Sequence, residues 1–284
     1  MIKTGIETGV LGCGLVRPTS GIVITKNIYT KYSDFDAKVF LYTSTASGNQ
    51  NKESIYTLVR DLKLAGIWDR CIAIYPFIGG TATTFRPNLM SSTQYPLTFN
   101  GGATFSRTGY LPNGTSGFAN TGINANARLT QSNTHLAFYS RTAAAAEDRV
   151  SMGAIVGSSS PMVGIQFRNA AGNAVAQNAS GTANQTAVTA NNNSSGFFIG
   201  NKTSAAIGGL SMIRNGVTLA SNVAAITTNN FPNANILIGA YTATTFFDNK
   251  ECAFASVGLG FTAAQIADYT AIVNNFQIIQ ERNV

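Results

Sequence analysis

The sequence predicts an all-β protein, an antiparallel two-sheet sandwich or barrel with one helix before it and one after it. Three observations point there. From about residue 71 to 261, short apolar runs alternate with polar positions and turn signals separate them, with no strand–helix–strand alternation of a parallel sheet. Two amphipathic stripes, over 51–65 and 263–279, bracket this region and must each pack on something, because helices this short do not stand alone in water. The composition, 44% hydrophobic and 10% aromatic, is enough to fill a sizeable core. Only 11% of residues are charged, so Ser, Thr, Asn and Gly carry the solubility, as suits long-lived assemblies.

Residues 1–48 are rich in Gly and Thr, with β-prone pieces at Ile22-Val23-Ile24 and Val39-Phe40-Leu41-Tyr42. They lack the apolar pattern of a domain and read as an N-terminal arm or anchor segment. Ordering such a chain costs on the order of 1–2 kcal/mol per residue, which strand addition to a neighbour's sheet edge would offset. Residues 1–33 are therefore expected to run as an extended arm onto another subunit. The remaining 49–284 form the sandwich domain and its helices. In the first helix Ile55, Leu58, Val59, Leu62 and Ala65 make the buried stripe, Asn49 or Asn51 is the expected cap, and Gly66 the stop. Trp68 is expected to plug the junction with the sandwich.

Alternation marks strands at Tyr95, Leu97 and Phe99, at Val163, Ile165 and Phe167, and at Leu136 and Phe138, which face opposite to His135, Ala137 and Tyr139. Turns are expected at Asn100-Gly101-Gly102, Asn113-Gly114, Gly172-Asn173 and Asn215-Gly216. The last predicts a two-residue hairpin between Leu210–Arg214 and Val217–Leu219. Residues 176–195 read as a polar loop or weak edge strand. Thr262-Ala263-Ala264-Gln265 is a capping box, and Ile266, Tyr269, Ile272, Val273 and Phe276 form the stripe of the final helix.

Several function classes drop out. The net charge is +7, yet the Lys and Arg residues are scattered singly, without the basic run or helix face that specific nucleic-acid binding needs. No segment reaches the apolar length of a membrane span. Val10-Leu11-Gly12-Cys13 lacks the apolar run that a lipoprotein leader needs before its cysteine. Cys71 and Cys252 sit in apolar stretches and read as small buried hydrophobes rather than a disulfide, in keeping with a reducing cytoplasm during maturation. With His135 the only histidine, no zinc set assembles, and no nucleophile elbow accompanies it, so a satisfied structural role is expected. Gly12-Cys13-Gly14 lacks the ending of a phosphate loop.

The order of elements over 209–266 resembles the concanavalin A-like, laminin-G-type jelly roll. Its marks are the hairpin Met212-Ile213-Arg214-Asn215-Gly216-Val217-Thr218-Leu219, the strand Ile236-Leu237-Ile238-Gly239, and the run from Cys252 to Ile266. Three further stretches are Leu58 to Trp68, Ile74 to Ala82 and Leu111 to Thr121. With His135-Leu136-Ala137-Phe138-Tyr139-Ser140-Arg141, they resemble a tailed-phage structural protein family carrying this jelly roll. The likeness covers roughly 50–284 and implies a virion location more firmly than a mechanism. Glucanase relatives of the fold use paired carboxylates on one strand. Here the acids of 71–261 are only Glu147, Asp148, Asp248 and Glu251, and adjacent Glu147 and Asp148 would point to opposite faces of a strand. Laminin-G domains that hold calcium supply a set of oxygens. Asp248, Asn249 and Glu251 fall short of the six to eight that calcium takes, and a solvated loop is expected there, with no metal or other cofactor.

Glycan recognition needs an aromatic platform with amides beside it. Tyr241, Phe246, Phe247 and Asn249 could supply one from a single loop. The sequence thus predicts a non-enzymatic virion structural protein, a head decoration or tail-associated appendage. It would assemble in the host cytoplasm with other virion proteins and copies of itself. The alternative is a carbohydrate-binding, host-attachment module.

Overall fold

The computed structural model describes residues 32–157, 161–178, 186–203, 209–222 and 231–284. The expected arm of residues 1–33 lies, up to residue 31, outside the described residues. Two antiparallel sheets face each other, as the strand pacing requires. The eight-stranded sheet contains β1 (Cys71–Tyr75), β3 (Ala103–Ser106), β4 (Gly109–Pro112), β6 (Thr134–Ser140), β11 (Gly196–Lys202), β12 (Leu210–Arg214), β13 (Val217–Asn222) and β15 (Cys252–Gly258). Its order is β13-β12-β11-β6-β15-β4-β3, with β1 also paired to β15. The seven-stranded sheet contains β2 (Thr98–Asn100), β5 (Phe118–Asn124), β7 (Met152–Ile155), β8 (Met162–Gln166), β9 (Asn173–Asn178), β10 (Thr186–Ala190) and β14 (Asn235–Ile238), in the order β10-β9-β8-β7-β14-β5-β2. The weak strand expected within 176–195 is β10, at an edge.

The core between the sheets follows the period-2 alternation. Leu136 and Phe138 of β6 and Phe198 of β11 point inward to meet Met152, Val163 and Ile165. Phe167 stacks on Phe198 at 4.0 Å between ring centroids. Ala137 and Tyr139 point the other way, into a second core beneath the helices. A bulge between Cys252 and Phe254 shifts the register of β15. It lets consecutive Ala253 and Phe254 both face the helices, while Cys252 and Ala255 face the sandwich. Cys71 and Cys252 are buried and unpaired, on opposite sides of this sheet.

Three helices cover that second core. In α2 (Asn49–Leu64), Ile55, Leu58, Val59 and Leu62 are buried, and in α5 (Ala263–Ile279), Tyr269, Val273 and Phe276 are. The capping box at Thr262 and Gln265 forms as the sequence predicts. Gly66, at φ +63°, ends α2: its N–H bonds Lys63 O and that of Ile67 bonds Leu62 O, a Schellman closure.

Four local readings are corrected. Val39–Tyr42 is helical, not β: α1 (Phe35–Ser44) is capped by the Asp34 carboxylate, which accepts from the N–H groups of Asp36 and Ala37, and Ala37 and Phe40 bury against α2. Tertiary burial overrides β-propensity there. The N-cap of α2 is Gly48, without a side-chain bond, while Asn51 instead donates to Ser47 O. Trp68 is only half-buried, with the Lys63 ammonium 5.0 Å from its ring, and Ile67 fills the junction. Tyr95 is not in a strand: its φ is +57°, and its carbonyl accepts from the Tyr75 hydroxyl at 2.7 Å.

The turns behave as read. Asn215 (φ +50°) and Gly216 (φ +79°) form the two-residue turn joining β12 to β13. The Asn100-Gly101-Gly102 turn does more than reverse the chain, since it carries it from one sheet to the other. Gly101 passes so close to the Ser116 carbonyl that any side chain would collide.

Candidate binding loop on the seven-stranded sheet

The outer face of the seven-stranded sheet carries a transverse row of directly paired residues, Thr98, Asn120, Leu237, Gly153, Gly164, Gln177 and Thr186. The two glycines leave a trough. Into it folds the loop that follows β14, which the chain enters at Gly239 (φ +86°). The loop closes at its base where Asp248 N–H donates to Gly239 O at 2.8 Å. The hydroxyl of Thr242 accepts from the N–H groups of Thr244 and Thr245, which fixes its tip.

Of the four residues expected to contact glycan, Tyr241, Phe246 and Phe247 lie on this loop and Asn249 directly follows it, but only one presents its side chain. Tyr241 is buried: its ring lies over Gly153 and Gly164, and its hydroxyl donates to Gln177 Oε1 at 2.9 Å. Burial also pushes its pKa up. Phe247 is half-buried and stacks on Phe118 with centroids 6.3 Å apart. Asn249 donates to Glu147 Oε2 at 3.1 Å, and its own side-chain oxygen is buried without a partner. Phe246 is 40% exposed, edge-on to Tyr241 at 6.2 Å, with its backbone held at φ +59°. Sequence alone could not separate these four, because which aromatic fills the trough depends on glycines about 80 residues away in the chain.

Arg149 ties the loop down. Its guanidinium donates to Phe247 O at 2.6 Å and Gly114 O at 2.7 Å and pairs with Glu147. That bond, ahead of a smaller opposing effect of burial, holds the Glu147 carboxyl below its ordinary range. The solvated loop expected at Asp248, Asn249 and Glu251 is corrected. Asp248 is fully buried and pairs with buried Lys250 at 2.8 Å, so an ammonium supplies the counter-charge that a cation would. Glu251 pairs with Arg141 at 2.7 Å and accepts from the Thr108 hydroxyl. Among the described residues, no group of three His, Cys, Asp or Glu side chains could hold a metal ion.

His135 is sealed under α5. Its Nδ1 lies 2.7 Å from Leu259 O and its Nε2 2.9 Å from Ser256 Oγ, which in turn accepts from the Tyr269 hydroxyl at 2.6 Å. Burial holds its pKa down at about 4, with Arg70 adding to the effect. The imidazole is neutral and out of reach of any substrate, a satisfied structural histidine.

No family model matches the chain, and no curated protein matches it in sequence. Solved structures match its fold. A Trypanosoma rangeli sialidase in complex with sialic acid aligns with a TM-score of 0.51 at 9% identity, over 79% of this chain and 39% of its own. The binding domain of botulinum neurotoxin serotype D aligns at 0.50 with 10% identity, over 72% and 52%. Domain 4 of AbnA, a GH43 extracellular arabinanase from Geobacillus stearothermophilus in complex with arabinotriose, aligns at 0.46 with 12% identity, over 70% and 97%. The chain thus spans about half of the neurotoxin domain and two fifths of the sialidase. The likeness is one of fold and rests on the sialidase and the neurotoxin domain: the chain is an antiparallel jelly-roll sandwich. No helix of the described residues is long and apolar enough to cross a membrane.

Proposed function

We propose that the protein is a non-enzymatic module that recognises glycans with the 239–248 loop. The observation that carries this reading is Phe246, an exposed ring braced on Tyr241 and held at φ +59°. A bulky residue rarely adopts that conformation, and strain of this kind clusters at sites of contact. A sugar's C–H face would stack on the ring while the exposed Thr244 and Thr245 hydroxyls read its own hydroxyls. The non-enzymatic part is supported by the state of three of the four acids of 71–261: Glu147, Asp248 and Glu251 are each engaged by a cation of the chain itself, which leaves exposed Asp148 without a second carboxylate to work with. The test is a glycan array probed with labelled protein. A defined subset of glycans should bind, and Phe246→Ala should lose that signal while it still unfolds cooperatively. An array with no bound glycan, or a variant that binds like the parent, would remove the reading.

The resemblance of the motifs within 50–284 to a tailed-phage structural family motivates a finer setting, a virion, with the module as a head decoration or tail-associated appendage. Residues 1–33 would then be the arm. Deleting them should leave a folded sandwich that no longer oligomerises or enters particles, measured by light scattering and by mass spectrometry of purified virions. Normal incorporation would end the arm idea.

A further inference from the structure

A second cleft, of about 480 Å³, opens on the opposite side of the sandwich, between α5 and the β12–β13 turn. We infer that it is a binding site for a short neutral oligosaccharide. Its size falls within the roughly 300–1,000 Å³ of small-ligand sites. One wall is a single helical stripe of α5, Ala267, Thr270, Ala271 and Asn274. The facing wall is Asn215, Gly216 and Val217, and buried Tyr139 and Phe197 close the floor.

The chemistry of the lining selects the ligand. Val284 completes the lining, and among the described residues no charged side chain lines the cleft, so no side chain there offsets the desolvation of a phosphate, a carboxylate or a metal ion. Val217 is 64% exposed, and it and the two alanines of the α5 wall offer apolar surface on both sides of the cleft, suited to the C–H face of a sugar ring. Neutral hydrogen-bonding groups stand beside that wall. The exposed Asn274 amide can both donate and accept. The Thr270 hydroxyl donates to Ile266 O at 2.8 Å, which leaves its lone pairs as acceptors. Asn215 spends its N–H and Oδ1 on Phe197, each at 2.8 Å, and keeps its Nδ2 donors.

The cleft is also pre-formed. The same two bonds to Phe197 fix the turn, and α5 is capped at its start and buried along its inner face. Binding would therefore cost little ordering of the walls. This site is independent of the 239–248 loop and does not rest on its assignment.

Titration of the intact protein with cellotriose, maltotriose and xylotriose, followed by saturation-transfer NMR and calorimetry, tests the inference. At least one should bind the parent. Ala271→Phe, which fills the cleft from an exposed helix position, should weaken it about tenfold or more. Asn274→Ala should weaken it by about three- to tenfold, as loss of one hydrogen bond predicts. If Ala271→Phe does not fold, Asn274→Ala decides. The site is overturned if none of the three binds at millimolar concentration, if filling the cleft leaves affinity intact, or if Asn274→Ala binds like the parent. It is equally overturned if Phe246→Ala alone abolishes binding, which would assign the sugar to the loop.

Discussion

The outer face of the eight-stranded sheet is sealed by α1, α2 and α5 over a continuous apolar core, whereas that of the seven-stranded sheet is left to glycines, amides and one loop. The sequence chemistry differs accordingly. Ala137, Tyr139, Phe197, Ile199 and Phe254 face the helices, while Asn120, Gly153, Gly164 and Gln177 face outward on the other sheet. A sheet needs only one buried face to be stable. The helices add a second buried layer to one sheet and release the outer face of the other for contact. Mutations should therefore divide: large losses of stability on the helix side, small ones on the loop side.

The largest effect is expected at Arg282, a fully buried guanidinium that locks the end of the chain against the helix-side core. It donates to the carbonyls of Pro76, Phe77 and Ala253 at 2.7 Å each and to Gln277 Oε1 at 2.7 Å, beside the Phe276 ring. Burial, then Arg141, pulls its pKa down to about 9, so it is still charged at neutral pH. Arg282→Ala strands those carbonyls and opens a cavity, and should cost about 3–5 kcal/mol in urea unfolding. A loss below about 1 kcal/mol would break the comparison at its strongest point.

His135 comes next. Its pKa is about 4 in the folded protein against 6.5 ordinarily, so the unfolded chain takes up the proton first as pH falls. Its contribution is complete above about pH 6.5 and is lost as pH drops toward 4, about 3 kcal/mol in all. Urea midpoints between pH 7 and 4 should show that slope, and His135→Phe should flatten it. Carboxylates titrate in the same window, so an equal slope in the variant would assign the acid sensitivity to them.

On the loop side, Tyr241→Ala should cost less, about 2 kcal/mol, because the ring fills a surface trough rather than a core. A loss as large as that of Arg282→Ala would make the loop a structural cover and not a contact surface. The same contrast marks what was legible in the sequence. The strand alternation around Leu136 and Val163, the Asn215-Gly216 hairpin and the capping box at Thr262 are local signals, and each forms as read. α1 was missed because the Asp34 cap and the burial of Phe40 on α2 outweigh the β-propensity of Val39–Tyr42. The loop was found, but its side chains could not be sorted. Tyr241 is buried by Gly153 and Gly164, and Asp248 by Lys250, partners fixed only by the fold.

The smallest stability effect should fall on Phe246, where the two demands on the loop separate. The residue is 40% exposed, so its removal forfeits less buried area than that of Tyr241, and a loss of about 1 kcal/mol is expected for Phe246→Ala. Its backbone sits at φ +59°, which costs an L-residue on the order of 1 kcal/mol and costs glycine nothing. Phe246→Gly relieves that strain but frees the unfolded chain, and the two terms oppose each other. The glycine variant should therefore be as stable as the alanine variant or more so, by up to about 1 kcal/mol. Both should lose the array signal. If the strain serves only the fold, the glycine variant will unfold more easily than either parent or alanine variant, and thermal denaturation of the three proteins side by side will show it. If it holds the ring out for a ligand, glycine will raise stability and abolish binding together.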